Sequence, residues 1–447
     1  MLPDAATNPA TQLPVRAVLS TILATLTSTG TAVLVAPPGA GKTTLVPLAL
    51  ADSLDGRIIV AEPRRVAARA AARRMAALTG TRVGDLIGYS VRGQHQTSAA
   101  TCVEVVTTGI LLRRLQRDPD LPGVGAVILD ECHERHLDTD LALAFLLDVR
   151  ANLRPDLALL ATSATADAER LAAVMEAATV ISTPMTEHPT EIIWAPAGAI
   201  KPAYGMQVDP KLLDHVAATI RRAVHEADGD VLVFLPGAWE INAVASRLGR
   251  LPDVDVLQLH GRQAAEVQDA ALMPAERRRI VLATAVAESS LTVPGVRIVV
   301  DSGLAREPRV DHARGLGSLV TVRVSKATAT QRAGRAARQG PGRVYRCWSA
   351  ADHERLADHA QPELAIADLT GFALELACWG DPTGAGLRLL DAPPAAAMQV
   401  ARDTLRDLGA LDSEDRITTR GRAIAAVGAH PRLARALIDG GEIVGAE

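Results

Sequence analysis

The sequence predicts an α/β fold with two tandem parallel-sheet domains, followed by a small helical or winged-helix module. Three observations favour this fold. Short apolar runs bounded by glycine, proline or polar residues recur up to Trp348, Ala- and Arg-rich stretches with helical spacing separate them, and the apolar runs stop after Ser349. Continuous apolar runs that alternate with helices are typical of buried parallel strands.

Residues 1–189 are predicted to form the first α/β domain. Its expected strands are Ala32–Val35, Arg57–Ala61, Cys102–Val106, Ala126–Leu129 and Leu157–Ala161. Helical spacing is clearest in Arg65–Leu78 and Leu137–Val149. The stretch Ile181–Gly205 is rich in proline and threonine, so we expect an edge strand and a linker there.

Residues 190–349 are predicted to repeat this pattern as a second α/β domain. Its expected strands are Asp230–Leu235, Val254–Leu259, Arg279–Ala283 and Arg297–Val300. Residues 350–420 are expected to form a winged-helix-like module, with a helix over Ala396–Leu408 and a small hairpin over Leu411–Thr418. Residues 421–447 are expected to begin a further helical bundle.

Length and composition indicate a folded protein of several domains. The chain has 447 residues, of which 48% are hydrophobic, 22% charged and only 2% aromatic, so global disorder is excluded. At roughly 150 residues per domain, this length suggests about three domains. The net charge of -4 argues against a protein that coats a polyanion, so local arginine clusters and backbone amides would have to hold any nucleic acid.

The cysteines and the N-terminus favour a reduced, cytoplasmic environment. Four scattered cysteines form no C-x-x-C pair, which argues against a disulfide framework and against a zinc site: Cys102, Cys132, Cys347 and Cys378. The first residues lack the charged and apolar segments of a secretory signal. No stretch of ~18 apolar residues predicts a membrane span. We therefore expect a cytoplasmic protein without membrane contact.

The first chemical signal is a glycine-rich segment between a predicted strand and a predicted helix. Its residues are Ala36, Pro37, Pro38, Gly39, Ala40, Gly41, Lys42, Thr43 and Thr44. In a P-loop, glycines let backbone N–H groups turn towards the β-phosphate, and the helix N-terminus faces the anion. Lys42 would reach the β- and γ-phosphates of ATP, and the Thr43 hydroxyl would ligate Mg²⁺. The flanking strand and helix disfavour the alternative, a turn that only caps a helix.

The second signal is a pair of carboxylates at the end of an apolar strand, Asp130 and Glu131. Asp130 is expected to hold Mg²⁺ through its water shell, while Glu131 would lie at the metal and polarise the attacking water. The alternative is an ordinary helix start, which the upstream P-loop disfavours because the two motifs form one site. His133 and His136 lack a further ligand at zinc spacing, so no transition-metal site is predicted.

The third signal is an arginine cluster in the second predicted domain. Arg335 and Arg338 are three residues apart on one helical face, and Gln331 precedes them. A γ-phosphate in transfer needs cations brought to it, and arginine fingers supply them. A site split across two domains would couple hydrolysis to domain closure. The alternative is a solvated basic helix, which the spacing of the glutamine and the glycines disfavours.

In this order the three segments resemble the DEAH/RHA branch of superfamily 2 helicases, and a bacterial subgroup of that branch fits best. Other segments are similar to the family's motifs Ia, Ib, III, IV and V: Glu62–Ala68, Val106–Leu111, Ser163–Thr165, Phe234–Gly237 and Thr284–Gly295. The similarity covers roughly residues 14 to 350 and is highly specific, because chance would not order so many motifs.

The resemblance implies two RecA-like domains that bind ATP between them and move on single-stranded RNA. Gln331 would place the hydrolytic water, Arg335 and Arg338 would contact the γ-phosphate, and Ser290 would sense the nucleotide. Residues implied to couple the nucleotide site to the strand are His133, Ser163 and Thr165. Residues implied to contact the nucleic-acid backbone are Arg64, Arg65, Thr108, Gly109 and Thr284. Such contacts carry little sequence preference.

The resemblance also assigns two structural features. The segment Gly303–Thr321 corresponds to the family's long β-hairpin, which is used in strand separation. Leu389–Pro394 corresponds to a turn of the family's winged-helix domain, and the last residues to the start of its ratchet-like bundle. Because family members continue through further C-terminal domains, we expect ATP hydrolysis more firmly than unwinding.

Several positions depart from the family pattern. Cys132 stands where the family name has alanine, and Ala337 and Gln339 replace a usual glycine and threonine without loss of a charged contact. The family sandwiches the base between an arginine, here Arg74, and a phenylalanine whose position falls near Leu272. We therefore expect weak base stacking and poor discrimination among nucleoside triphosphates.

The leading hypothesis is a monomeric RNA-dependent ATPase that moves 3′ to 5′. Its polarity and RNA preference follow from the resemblance alone, and no residue distinguishes RNA from DNA, so a DNA helicase of the same superfamily is a second hypothesis. A third is a nucleic-acid-stimulated NTPase or scaffold that does not unwind. The presence of Lys42, Asp130, Glu131, Arg335 and Arg338 argues against a scaffold without turnover.

Overall fold

Two tandem sheets organise the structure, a computed structural model that describes residues 13–164, 168–184, 188–288, 291–311, 316–338 and 340–444. Thr165 and Ser290, which the resemblance singles out, lie outside the described residues, as does Gln339.

The first sheet has eight strands: β1 (Thr31–Val35), β2 (Arg57–Glu62), β3 (Ile87–Val91), β4 (Gln94–Gln96), β5 (Val103–Thr107), β6 (Val124–Leu129), β7 (Ala158–Ser163) and β8 (Thr179–Ser182). Its helices are α1 (Leu19–Thr29), α2 (Lys42–Ser53), α3 (Arg65–Thr79), α4 (Thr108–Arg117), α5 (Leu137–Asn152) and α6 (Ala168–Val174). The strand order is β4-β3-β5-β2-β6-β7-β1-β8, and every pair is parallel except β3 with β4.

This strand order brings the predicted motifs together. Strand β7 lies between β6 and β1, so their carboxyl ends meet at one edge of the sheet. The P-loop follows β1, Asp130 follows β6, and Ser163 ends β7. In open parallel sheets, ligands bind outside the carboxyl ends of the strands. The core strands consist of apolar residues buried on both faces, which fixes these ends in place.

The second sheet has six strands: β9 (Thr190–Trp194), β10 (Asp230–Phe234), β11 (Val254–Leu259), β12 (Arg278–Ala283), β13 (Val296–Asp301) and β16 (Gly342–Arg346). Between β13 and β16 lies an antiparallel hairpin of β14 (Leu304–Asp311) and β15 (Leu316–Arg323). The helices are α7 (Pro210–Glu226), α8 (Ala238–Leu248), α9 (Ala265–Leu272) and α10 (Lys326–Ala333). The six strands run parallel in the order β11-β12-β10-β13-β16-β9.

The described residues after β16 are mainly helical: α11 (Ala350–Glu354), α12 (Glu363–Ile366), α13 (Thr370–Trp379), α14 (Ala395–Asp407), α15 (Thr419–Val427) and α16 (Pro431–Val444). One antiparallel bridge joins Leu411 to Ile417, where the sequence predicts a small hairpin. This C-terminal module packs on the first domain and shares its core. The rings of Phe145 in α5 and Trp379 in α13 stack with centroids 4.0 Å apart, and the Trp379 Nε1–H donates to Asp148 (2.8 Å).

The predicted fold class, two α/β units followed by a helical part, is confirmed. The sequence analysis did not predict β3, β4, β8 and β16. Polar β4 is fully exposed and β8 is largely exposed, so neither carries the apolar run of a buried strand. Residues 421–447, which are expected to begin a helical bundle, are not one continuous helix in their described part. This part divides between α15 and α16, because Gly428 takes a left-handed conformation (φ 65°) and Pro431 starts a new helix.

Candidate nucleotide site at the domain interface

The P-loop curves around the edge of the first sheet because of two glycines. Gly39 and Gly41 have φ of 90° and 93°, a left-handed region that strains other residues. A Cβ on Gly41 would also come within 2.8 Å of the Leu13 side chain. The loop is tied to the neighbouring strand by the Ala36 N–H, which donates to the Ser163 carbonyl (3.0 Å). Helix α2 then begins at Lys42, so its N-terminus faces the loop.

Lys42 is held between the two predicted carboxylates. Its Nζ lies 2.8 Å from Oε2 of Glu131 and 3.4 Å from Oδ1 of Asp130. The Thr43 hydroxyl donates to Oδ2 of Asp130 at 2.6 Å. Lys42, Asp130 and Glu131 are each nearly fully buried. The structure therefore brings the P-loop and the Asp-Glu pair into one cluster.

The electrostatics of this cluster keep its charges in place. Burial opposes ionisation of Asp130, but the Lys42 ammonium and the hydroxyls of Thr162 and Thr43 hold its pKa below the ordinary value. Burial likewise opposes the charged form of Lys42, but Asp130 and Glu131 together raise the pKa of the ammonium above its usual range. An ionised Asp130 beside the neutral Thr43 hydroxyl suits Mg²⁺, which binds through one or two carboxylates and keeps several waters.

Two further side chains belong to this cluster, and the sequence analysis did not assign them a role. The Thr162 hydroxyl donates to Oδ1 of Asp130. Glu62, at the end of β2, is fully buried and interacts with both Asp130 and Lys42. A carboxylate at the end of a strand next to β6 is the signal that could have found Glu62.

His133 connects the carboxylates to the second domain. Its Nδ1 accepts from the Ala164 N–H (3.2 Å) and lies 3.5 Å from Oε2 of Glu131. Its Nε2 lies 3.4 Å from the Gln331 amide. Burial lowers the pKa of His133, which favours the neutral ring. With Nδ1 as acceptor, the proton sits on Nε2 and the Gln331 amide must present its oxygen.

The backbone around His133 is unusual. The short 3₁₀ helix Cys132–Glu134 is flanked by Glu131 and Arg135 at φ of 56° and 55°. Left-handed conformations of residues other than glycine cost energy and cluster at functional sites. This segment, which we call the hydrolytic turn, therefore places His133 next to Glu131, with its Nδ1 3.5 Å from Oε2 of that carboxylate.

Arg338 of the second domain reaches the P-loop. A Cβ built on Gly39 would lie 3.8 Å from Cδ of Arg338. Helix α10 ends at Ala333, so Arg335 and Arg338 occupy the turn that follows, not the helical face expected from the sequence. Their side chains nevertheless point into the cleft between the domains.

Arg335 and Arg338 are held by uncharged oxygens of the segment that follows β12. Arg335 donates to the carbonyls of Glu288 and Leu291. Arg338 donates to the Thr292 hydroxyl (2.6 Å) and to the Leu291 carbonyl (3.2 Å). Burial lowers the pKa of Arg335 to about 10 and that of Arg338 well below its ordinary value. An anion such as a γ-phosphate would therefore be favoured here.

Arg332 anchors the turn that carries Arg335 and Arg338, which we call the arginine turn. The sequence analysis did not assign this role. The buried guanidinium of Arg332 donates to Oε1 of Glu288 (2.7 Å) and to Oδ1 of Asp301 (2.7 Å). It also lies over the ring of Phe234, 4.9 Å from the centroid. This ties the arginine turn to the ends of β10 and β13.

The candidate nucleic-acid residues follow strand ends on the same side of the two sheets. Arg64 forms an ion pair with Glu134, and Arg65 reaches the Gly261 carbonyl of the second domain (3.4 Å). Thr108 is buried at the start of α4. A Cβ on Gly109 would come within 3.2 Å of Asp138. Thr284 follows β12 and is bonded through its N–H to the Leu259 carbonyl (3.2 Å).

The expected base-contacting pair is only partly brought together. Helix α3 faces α9, but the ion pair between them joins Arg73 to Asp269, while Arg74 is exposed. Leu272 packs against the core of the second domain. Arg69 adds a second contact to α9, with its guanidinium 2.5 Å from Oε1 of Gln268.

His136 contacts carboxylates and not a metal cluster. Its two ring nitrogens each lie 2.7 Å from a glutamate oxygen, of Glu134 and of Glu363. Within the ranges that the structure describes, no three histidine, cysteine or acidic side chains are grouped to hold a metal ion. Among these same residues, no helix has the length and apolar character needed to cross a bilayer.

Comparison with known proteins places these motifs in one family. The model of the DEAD/DEAH box helicase matches residues 16–174, and that of the helicase conserved C-terminal domain matches residues 213–340. The ATP-dependent RNA helicase HrpB of Escherichia coli is 43% identical over 434 residues, which are 95% of this chain and 52% of that protein. The crystal structure of this DEAH/RHA helicase superposes on 96% of the chain with a TM-score of 0.88 and 42% identity, and 54% of it is covered.

The chain carries the DEAD/DEAH box and helicase C-terminal domains and matches HrpB, a DEAH/RHA helicase, in sequence and in structure. More distant relatives agree: the pre-mRNA-splicing factor ATP-dependent RNA helicase prp22 of Schizosaccharomyces pombe is 34% identical over 92% of the chain, and the probable ATP-dependent RNA helicase DHR2 of Saccharomyces cerevisiae is 32% identical over 96%. The chain spans 36% and 60% of these two proteins and about half of HrpB. The bacterial subgroup expected from the sequence is the HrpB group, so the predicted resemblance is confirmed.

Proposed function

We propose that this DEAH/RHA-family chain hydrolyses ATP between its two α/β domains and uses the reaction to move along single-stranded RNA. One observation carries the proposal. Arg338 of the second domain packs against Gly39 of the P-loop, on the same cleft as the Lys42 ammonium and its two carboxylates. A cleft completed by both domains makes hydrolysis depend on their relative position, which is how such a reaction can drive movement.

In this cleft each residue has a separate task. Backbone N–H groups of the P-loop and the Lys42 ammonium would bind the β- and γ-phosphates. Thr43 and Asp130 would hold Mg²⁺, which neutralises charge on the phosphate oxygens. Glu131 would take a proton from the attacking water, and Gln331, held near His133, would orient that water.

Arg335 and Arg338 would stabilise the charge that develops on the γ-phosphoryl group. Their present hydrogen bonds go to neutral oxygens, which a phosphate can replace with charge-assisted bonds. Ser163 and His133 would pass the state of the site to the rest of the first domain, since both contact the neighbouring strands or loops. We include Thr165 and Ser290 in the proposal on the resemblance alone.

RNA as the track is supported by the names of the relatives, which are RNA helicases. Arg64, Arg65, Thr108, Gly109 and Thr284 would contact its backbone from the carboxyl edges of both sheets. We further propose 3′ to 5′ movement, a monomer and a cytoplasmic location. The four domain bounds expected from the sequence, including the winged-helix-like module, are part of the same proposal.

Steady-state phosphate release tests this function. The protein is assayed with ATP and Mg²⁺ alone, with an oligouridylate and with an oligothymidylate. We expect hydrolysis that rises with the RNA strand and less with the DNA strand. A larger effect of DNA would favour the second hypothesis, a DNA-acting motor. Hydrolysis that neither strand changes would contradict nucleic-acid coupling.

Lys42→Ala provides the control for the site. It removes the cation between Asp130 and Glu131, so hydrolysis should fall to background. Lys201→Ala is the matched control, because Lys201 is an exposed lysine whose N–H donates to Asp209 and which has no assigned role in the cleft. If Lys42→Ala hydrolyses ATP as fast as the parent protein, the assigned site is wrong.

A further inference from the structure

A chain of alternating charges connects the candidate RNA contact Arg64 to the C-terminal module. Arg64 caps the start of α3, and its guanidinium grips both oxygens of Glu134 at 2.7 and 2.6 Å. Glu134 in turn lies 2.7 Å from Nε2 of His136. Nδ1 of His136 lies 2.7 Å from Oε1 of Glu363, at the start of α12. The order of charges is positive, negative, positive, negative.

The charges along this chain are stable at neutral pH. Both ring nitrogens of His136 face carboxylates, so both must carry a proton to donate. Burial opposes that charge, but hydrogen bonds to Glu134 and Glu363 raise the pKa of His136 to about 10. Burial also opposes ionisation of Glu134, yet Arg64 and His136 hold its pKa well below the usual range. Glu134 is therefore one carboxylate shared by two cations.

Glu363 attaches this chain firmly to the module. Its Oε2 accepts the backbone N–H of Leu137 (2.9 Å), and its own N–H donates to the Arg135 carbonyl (3.2 Å). A parallel link joins Asp391 of the module to Arg135 and Arg170. Both links join the C-terminal module to the segment that contains Arg135 and His136, but only the link through His136 includes Glu134.

Glu134 also belongs to the hydrolytic turn Cys132–Glu134. The neighbouring His133 in that turn contacts Glu131, the Ala164 backbone and Gln331. A nucleic-acid phosphate that binds Arg64 must compete with Glu134 for the same N–H donors. As Glu134 yields, its charge moves towards His136, and the turn that carries His133 must shift with it.

We propose that Glu134 is a positioning residue that couples nucleic-acid contact at Arg64 to the hydrolytic turn, with His136 and Glu363 as its anchor on the C-terminal module. This inference rests on the proposed function and adds the route by which RNA stimulates hydrolysis. A purely structural ion-pair network would instead affect folding and all activities alike.

Glu134→Gln tests the route, because it removes the charge and keeps the shape. Arg64 then loses its competitor, so the oligouridylate concentration that gives half-maximal stimulation should fall several-fold. The ratio of RNA-stimulated to basal hydrolysis should fall at least about fivefold, the lower end of typical coupling between two sites. A structural defect would not tighten RNA binding while it lowers stimulation. Glu134→Asp keeps the charge and should restore part of the ratio.

Two variants complete the experiment. Asp391→Asn breaks the parallel link to the same module and should keep both the ratio and the RNA affinity of the parent protein. Glu363 is the partly exposed last member of the ion-pair series. Glu363→Gln should therefore lower the ratio of RNA-stimulated to basal hydrolysis by less than Glu134→Gln does, and it should leave RNA affinity unchanged. It also supplies the test if Glu134→Gln does not fold, which thermal melting reveals.

The possible outcomes separate the two proposals. A parent protein that RNA does not stimulate overturns the proposed function, and this inference with it. A stimulated parent whose ratio is unchanged in Glu134→Gln and Glu363→Gln overturns the inference alone. Equal losses in Glu134→Gln and Asp391→Asn also overturn it, since they would indicate that only docking of the module matters.

Discussion

The two halves of the cleft solve the problem of buried charge in opposite ways. In the first domain, the Lys42 ammonium lies between Asp130 and Glu131, so its charge is neutralised by the protein itself. In the second domain, Arg335 and Arg338 donate to carbonyl and hydroxyl oxygens, and burial lowers the pKa of both. The carboxylates of the first half offset the charge of its ammonium, whereas the second half carries an excess of positive charge.

This difference teaches how closure of the cleft can depend on the nucleotide. A polyphosphate brings the negative charge that the second half lacks, and Arg338 already lies beside Gly39 to receive it. The first half supplies the P-loop N–H groups and the Lys42 ammonium, which are the groups proposed to bind the phosphates. Nucleotide binding should therefore depend mainly on the first half, and rate acceleration mainly on the second.

The largest effect is expected for Arg338→Ala. Loss of an arginine finger lowers turnover by about 10³-fold or more. Because this guanidinium donates to neutral oxygens and burial disfavours its charge, the thermal stability of the nucleotide-free protein should be unchanged or higher. Lys42→Ala should lower both turnover and stability, since it leaves two buried carboxylates without their cation.

Single-turnover hydrolysis and thermal melting of both variants measure this contrast. Arg343→Ala is the matched control in the same domain, because Arg343 pairs with Glu191 at the other edge of the sheet and is exposed. Equal destabilisation by Arg338→Ala and Lys42→Ala would break the comparison between the two halves.

The same comparison explains how much of the site could be predicted from the sequence. Lys42, Asp130 and Glu131 each follow an apolar run, and parallel strands place such positions at one edge, so local patterns suffice to bring them together. The partners Glu62 and Thr162 lie near the ends of β2 and β7, next to segments that resemble family motifs, but the resemblance assigns neither of them a role beside Asp130. Their roles depend on strand order, which a local pattern does not contain.

Long-range pairings were the least predictable part. Glu363 and Asp391 belong to a module more than two hundred residues away from the hydrolytic turn in sequence, and nothing in their local sequence points to Arg135 or His136. The exposed strand β4 was not predicted for a related reason, since hydrophobic periodicity detects burial and β4 has none. Contacts between exposed or charged residues need the tertiary structure.

Glu375 extends the comparison to a largely buried acidic group whose side chain accepts from the neutral Gln116 amide. Burial in α13 and the nearby Asp138 raise its pKa from 4.5 to about 7, and Gln116 offers only partial compensation. The folded protein then binds more protons than the unfolded chain between these values, so the free energy of unfolding falls as pH rises from about 4.5 to about 7.

Glu375→Gln should remove this loss. Above pH 7 the variant should be more stable than the parent protein by up to about 3 kcal/mol, and the difference should vanish near pH 4.5. Urea denaturation at both pH values measures it, with the exposed Glu354→Gln as a control that follows the parent. A stabilisation of equal size at both pH values would contradict an electrostatic cause.

The smallest effect is expected for the base of the nucleotide, which we predict neither half of the cleft to bind strongly. Helix α9 contains no aromatic residue, Leu272 packs into the domain core, and Arg74 on α3 is exposed. Stacking on an aromatic ring contributes about 1–3 kcal/mol per base, so its lack should leave ATP, GTP, CTP and UTP with kcat/KM values within about tenfold of one another.

Steady-state hydrolysis of the four nucleotides under RNA saturation measures this spread of kcat/KM values, and Leu272→Phe, which offers a ring, should widen it. A parent protein that prefers ATP by about a hundredfold would contradict this prediction. Such a preference would mean that the base is recognised by hydrogen bonds rather than by stacking, since a buried donor or acceptor left without a partner costs that much. Arg73 and Asp269, which form an ion pair between α3 and α9, would be the groups to test next.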